Sequence, residues 1–231
     1  MLRRLIKVSA AVAGVGLVVA GCSGPGPLKM GAAAIVGNQR ITIATLDSEV
    51  TNLRAAASQY PGVITLSPQQ MTDQTLTWLI RFQINEEVAS RAGITVTPGQ
   101  AQQALYQTYK AAAASAEAAG VTNPTPTLIL AANGIPPDQA AELGRYVAIQ
   151  IQYAKALNGG TLPTSASAQA ATTAKLQHAQ CLAAKALNVQ VNPQFGRMDY
   201  SQYQVVPSLP LVWRSSGPAA SPSLQGLAPA C

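Results

Sequence analysis

Histidine is almost missing from this chain: His178 is the only one in 231 residues. That leaves little for imidazole-based acid–base chemistry or metal ligation. Cys181 lies three positions on from it, but two ligands with no third His, Cys or carboxylate nearby do not make a metal site. Charge is also scarce, at 10% Asp, Glu, Lys and Arg, and no stretch gathers Lys or Arg into a basic face. Nucleic acid is therefore not an expected partner. Aromatics make up only 5% of the chain, so any apolar groove will be shallow. The adjacent Glu86 and Glu87 point in different directions on a helix and form no acid–base pair. Gly24-Pro25-Gly26 and Gly159-Gly160 lack the Lys-Ser/Thr of a phosphate loop. No Gly-x-Ser-x-Gly elbow occurs either. No catalytic residue, metal or cofactor is expected.

Long hydrophobic runs are lacking too. Val8 to Val19 is apolar but too short to cross a membrane comfortably. Arg3, Arg4 and Lys7 precede it, and Val19-Ala20-Gly21-Cys22 follows. This arrangement resembles a bacterial lipoprotein signal with its lipobox; an ordinary cleavable signal and a membrane helix are the alternatives. By that resemblance residues 1–21 are a signal peptide and Cys22 becomes the lipidated first residue. The lipid would anchor the protein on the extracytoplasmic face of the cell membrane without crossing it. Loss of Arg3, Arg4 and Lys7 would halve the formal charge of +6. Residues 22–31 are rich in Gly and Pro and read as a tether. Cys181 and Cys231 remain. Outside the cytoplasm a disulfide between them is allowed, with two free thiols or one reactive thiol as alternatives.

What is there is helix. Ser67 to Gly93 has an unambiguous start and stop: Ser67 as cap, Pro68 in the first turn, Gln70 completing a capping box, and Gly93 as terminator. Met71, Leu76, Trp78, Leu79, Ile80, Phe82, Ile84 and Val88 cover more than one stripe, so other elements should surround this helix. Thr97-Pro98-Gly99-Gln100 repeats the start signal. The helix that follows carries Tyr106 and Tyr109, then near-pure alanine up to Gly120, which favours helix but buries little surface.

The rest is coarser. Ala33–Val36, Gly37-Asn38 and Arg40–Ile43 suggest a strand and a tight turn. Thr42 or Thr45 then caps a helix with Leu46, Val50 and Leu53 on one face. Thr127 to Ala132 reads as a short helix. A longer one follows Pro136-Pro137, with Leu143, Val147, Ile151 and Ala154 on one face and Tyr146 and Tyr153 beside it. A further helix runs to about Asn188, with Leu176, Ala183 and Leu187 in phase. Residues 189–196 alternate like a strand. From residue 201 to 231 the chain is rich in Pro, Ser, Ala and Gly and is expected to be irregular.

Four stretches together resemble the SurA/PrsA-type extracytoplasmic chaperones, specifically their N-terminal domain. They are Ala34 to Thr42, the helix exit from Ala89 to Thr97 with Leu79-Ile80 before it, the alanine- and leucine-rich helix that follows, and Val191 to Gly196. The resemblance covers most of residues 32–200. It implies a mainly α domain in which a strand within about 33–43 pairs with one within about 189–196. It also implies a non-catalytic chaperone for unfolded or secreted polypeptides. An envelope scaffold or adaptor, and a degenerate prolyl isomerase, are the alternatives. The parvulin-type isomerase domain that family members often carry has no counterpart here: only the linker from Gly159 to Ala170 lies in its place. Under the chaperone reading, Trp78, Tyr106, Tyr109, Tyr146 and Tyr153 are the candidate rim of a client groove. Leu79 and Phe82 are expected in the core.

Overall fold

The computed structural model describes residues 30–201 and 203–208. The expectations for the signal segment, for Cys22 and for Cys231 lie outside them. In chain order the elements are β1 (Ala32–Val36), β2 (Gln39–Thr42), α1 (Ile43–Ser58), α2 (Pro68–Arg91), α3 (Pro98–Ala118) and α4 (Pro126–Ala132). A 3-10 turn (Pro137–Gln139), α5 (Ala140–Leu157), α6 (Ala166–Ala186), β3 (Gln190–Val191), β4 (Arg197–Asp199) and β5 (Gln204–Val206) complete the set. The fold is mainly α, as the sequence implies.

The two ends of the domain meet in one sheet. β1 runs between β2 and β3, antiparallel to both, with Ala34 opposite Val191 and Ile35 opposite Gln190. The expected pairing of an early and a late strand is therefore present. The β1–β2 connection is the two-residue Gly37-Asn38, with Gly37 at φ 60°. That is a glycine-first hairpin turn of the kind that matches strand twist. Gly37 is also packed: its N–H donates to the Leu187 carbonyl at 2.7 Å, and a Cβ there would sit 2.8 Å from Leu187 Cδ2. Ala32, Ala33 and Ala34 are all buried, so β1 is covered on both faces.

Local chemistry sets the helix starts. Thr42, Ser67 and Thr97 cap α1, α2 and α3, and the last two form complete capping boxes with Gln70 and Gln100. α2 touches α1, α5, α6, β1 and β5. The reason for its several apolar stripes is that it separates two cores. Leu76, Ile80, Ile84 and Val88 enter the larger one, with α1, α6 and the sheet. Phe82, with Trp78 beside it, enters a smaller one built with Leu130, Ile135 and Leu143.

Asn85 is fully buried between these cores. Its Nδ2 donates to the Tyr146 carbonyl at 3.0 Å, and its Oδ1 accepts from Gln180 Nε2 at 3.4 Å. One side chain thus joins α2, α5 and α6. A buried amide with partners on both ends favours one arrangement of three helices over its alternatives.

Three expectations need correction. The strand over 189–196 narrows to Gln190–Val191. Pro193 has no N–H to give a ladder, and Asn192 Oδ1 accepts from the Gln194 N–H at 3.1 Å, which turns the chain instead. Regular structure also continues past residue 200. β4 and β5 form a hairpin, Val205 is buried, and its N–H donates to Thr77 Oγ1 at 2.9 Å. Finally, α5 buries Leu143, Gly144, Ala148 and Ile149, whereas Val147, Ile151 and Ala154 are half-buried. Its buried face is turned because it packs on α2 and α3 at once.

Candidate functional site

A concave surface lies between α3 and α5, with a volume of about 490 Å³. Ala104, Ala148 and Ile151 line its apolar part. Gln100, Gln103, Gln107 and Gln152 also line it, with Lys155. The glutamines at 100, 103 and 107 fall on one side of α3 by helical spacing. Each amide offers a donor and an acceptor, so the rim can bond either side of a peptide unit. Gly144 allows the two helices to come this close: a Cβ there would lie 2.7 Å from the Ala101 carbonyl oxygen. Beside it, Arg145 donates from Nε and Nη2 to the two oxygens of Glu86, which ties α5 to α2. The pair holds the Arg145 pKa above its ordinary value, mainly through that hydrogen bond.

None of the five aromatic candidates lines this groove. Trp78, Phe82 and Tyr146 form one cluster, with ring centroids 5.7–5.9 Å apart. Tyr109 packs against the same small core. Tyr153 faces a different, smaller pocket with Val88, Ala179 and Leu182. Tyr106 stands alone on α3, 60% exposed. Among the described residues most of the aromatic bulk is thus spent on packing, and Tyr106 is the one aromatic side chain that is exposed. Leu79 and Phe82 are buried, in keeping with their reading as core.

A second cavity of about 430 Å³ lies between one side of α2 and the β5 segment. Gln70, Asp73, Gln74, Thr77, Trp78 and Arg81 line it from α2, with Val205, Val206 and Pro207 opposite. Arg81 is half-buried. Its Nε donates to the Tyr203 carbonyl at 2.8 Å, and its guanidinium lies 5.2 Å from the Trp78 ring centre and 5.9 Å from that of Tyr203. Burial lowers its pKa, while the nearby Tyr146 and Tyr203 act the other way. Burial also raises the pKa values of Tyr146 and Tyr203. At the far end Asp73 accepts from Gln69 at 2.7 Å, and burial raises its pKa as well.

No protein-family model, no curated protein and no solved structure matches this chain. Among the described residues no group of three or more His, Cys, Asp or Glu could hold a metal ion. His178 is exposed on α6. Cys181 is buried and disulfide-bonded; Cys231, its expected partner, lies outside the described residues. No helix among the described residues is long and apolar enough to cross a membrane.

Aromatic side chains stand out in the sequence as candidates for a groove, and the glutamines do not. The signal was the polar spacing of Gln100, Gln103 and Gln107 beside small Ala104. A glutamine row reads as plain solvated surface until a second helix is placed opposite it. Arg81 was missed for the same reason: its aromatic neighbours and cavity depend on β5, which the sequence left in the tail.

Proposed function

We propose that this protein is a lipid-anchored, extracytoplasmic, chaperone-like protein that holds unfolded or secreted polypeptides without covalent chemistry. The groove between α3 and α5 carries the reading. Its apolar part is small-sided and shallow, so it tolerates varied side chains. Its glutamine amides suit backbone groups, which every client shares. From Gln100 to Gln107 the wall rises about 10 Å, the length of roughly three extended residues. A surface of that size gives weak, reversible holding, as a holdase requires. The lipobox-like Cys22 would keep the groove at the outer face of the membrane, where secreted chains emerge unfolded.

The test is light scattering from an aggregating client. The protein should suppress aggregation at a near-equimolar ratio. Ile151→Glu, which puts a charge into the groove at a half-buried position, should abolish suppression while leaving the circular dichroism spectrum unchanged. No suppression by the unaltered protein, or full suppression by Ile151→Glu, would refute the reading.

A further inference from the structure

The second cavity has its own chemistry. Arg81 has been brought into a partly dry site without a counter-ion. The two salt bridges among the described residues join Arg91 to Glu87 and Arg145 to Glu86. The Arg81 fork is nonetheless fixed: Tyr203 accepts from Nε, and two aromatic rings flank the guanidinium. No described residue accepts from Nη1 or Nη2. A planar cation held in one orientation, with its terminal donors unused, is the standard geometry for receiving a planar anion in two parallel hydrogen bonds.

We infer that this cavity binds the free C-terminal carboxylate of a polypeptide, with the carboxylate on the Nη atoms of Arg81. The cavity's length and its other lining residues indicate a chain more than a small acid. Gln70, Gln74, Thr77 and Arg81 recur at helical spacing along one side of α2. Gln74 lies about 10 Å from Arg81 along the helix axis, matching roughly three extended residues. Its side chain makes no hydrogen bond, and its Oε1 is buried without a partner. That amide packs against Gly134, so turning it towards a ligand's backbone N–H breaks no hydrogen bond but gives up this contact. Asp73, at the same end as Gln74, repels a second anion and sets the polarity: carboxylate towards Arg81, chain leading away past Gln74.

The carboxylate belongs to a separate polypeptide. The site is separate from the α3–α5 groove, so a failure to suppress aggregation leaves this inference standing.

The experiment uses the full chain in detergent and one labelled hexapeptide made twice, as a C-terminal acid and as a C-terminal amide. Fluorescence anisotropy should show the acid binding about tenfold more tightly, the scale of a charge-assisted pair. Acetate should compete with the acid form, and Arg81→Gln should erase the difference. Equal binding of acid and amide to the unaltered chain overturns the inference, and so does a preference that survives in folded Arg81→Gln. Should Arg81→Gln fail to fold, the acid–amide contrast and acetate competition in the unaltered chain decide alone.

Discussion

At the scale of single residues, the buried Asn85 and the half-buried Glu49 contribute to stability in opposite senses. Asn85 is satisfied on both sides, by the Tyr146 carbonyl and by Gln180. Asn85→Ala would leave the buried Gln180 amide without this partner, and should cost about 1–3 kcal/mol in urea unfolding. Glu49 is not fully satisfied. Its Oε1 accepts from Gln139 at 2.7 Å, but its Oε2 is buried without a partner. Burial raises its pKa above the ordinary 4.5; the Gln139 bond opposes that, and Asp138 adds to it. The folded state therefore holds this proton more tightly than the unfolded state does. The stability Glu49 contributes is complete below the unfolded value and is lost as pH rises through the folded one. Glu49→Gln keeps the acceptor for Gln139 and removes the titration. The variant should melt above the parent at about pH 7, with the gap closing towards about pH 4. A constant gap across that range would assign the effect to packing instead of charge.

At the scale of elements, the helix ends were legible and the helix faces only partly so. Ser67, Pro68, Gln70 and Gly93 carry the boundaries of α2 in local chemistry that needs no tertiary partner. Its several apolar stripes gave away its central place. The β4–β5 hairpin was not legible, because strands of three residues carry no period and Asp199-Tyr200-Ser201 looks like any polar loop. The face of α5 was misjudged because Gly144 does not register in a hydrophobic pattern. Yet Gly144 sets the distance between α3 and α5. Gly144→Ala would drive a methyl into the Ala101 carbonyl. It gains about 1 kcal/mol of helix propensity, against an overpacking cost of about 1–3 kcal/mol. The net change should be destabilising in urea unfolding, and client holding should fall with it, since the groove wall moves. A stabilised Gly144→Ala with full holding would mean that α3 shifts freely and that the groove's shape does not matter.

At the scale of the whole molecule, the architecture divides into a closed part and an attached one. β1, β3, α1, α2 and α6 share the larger core, and the pairing of β1 with β3 ties the chain's early and late segments together. α3 is different. Ala104 is its one buried residue, and its alanine run from Ala111 to Ala114 lies at or near the surface. Beyond Tyr109, which with Leu105 packs on the small core, little apolar area holds that helix down, so the free energy of local opening there should be far below that of the body. Native-state hydrogen exchange should show this as a hierarchy. Amides of α2 from Leu76 to Val88 should exchange only on global unfolding, and those of α3 beyond Thr108 should exchange through local opening with little denaturant dependence. The difference bears on the proposed work, because the groove wall carrying Gln100, Gln103 and Gln107 runs directly into that loosely held half of α3. A wall that yields at small cost can fit clients of unequal bulk. Adding a bound unfolded client should therefore slow exchange in α3 most and leave α2 unchanged. Protection that rises equally in both helices would place the client elsewhere.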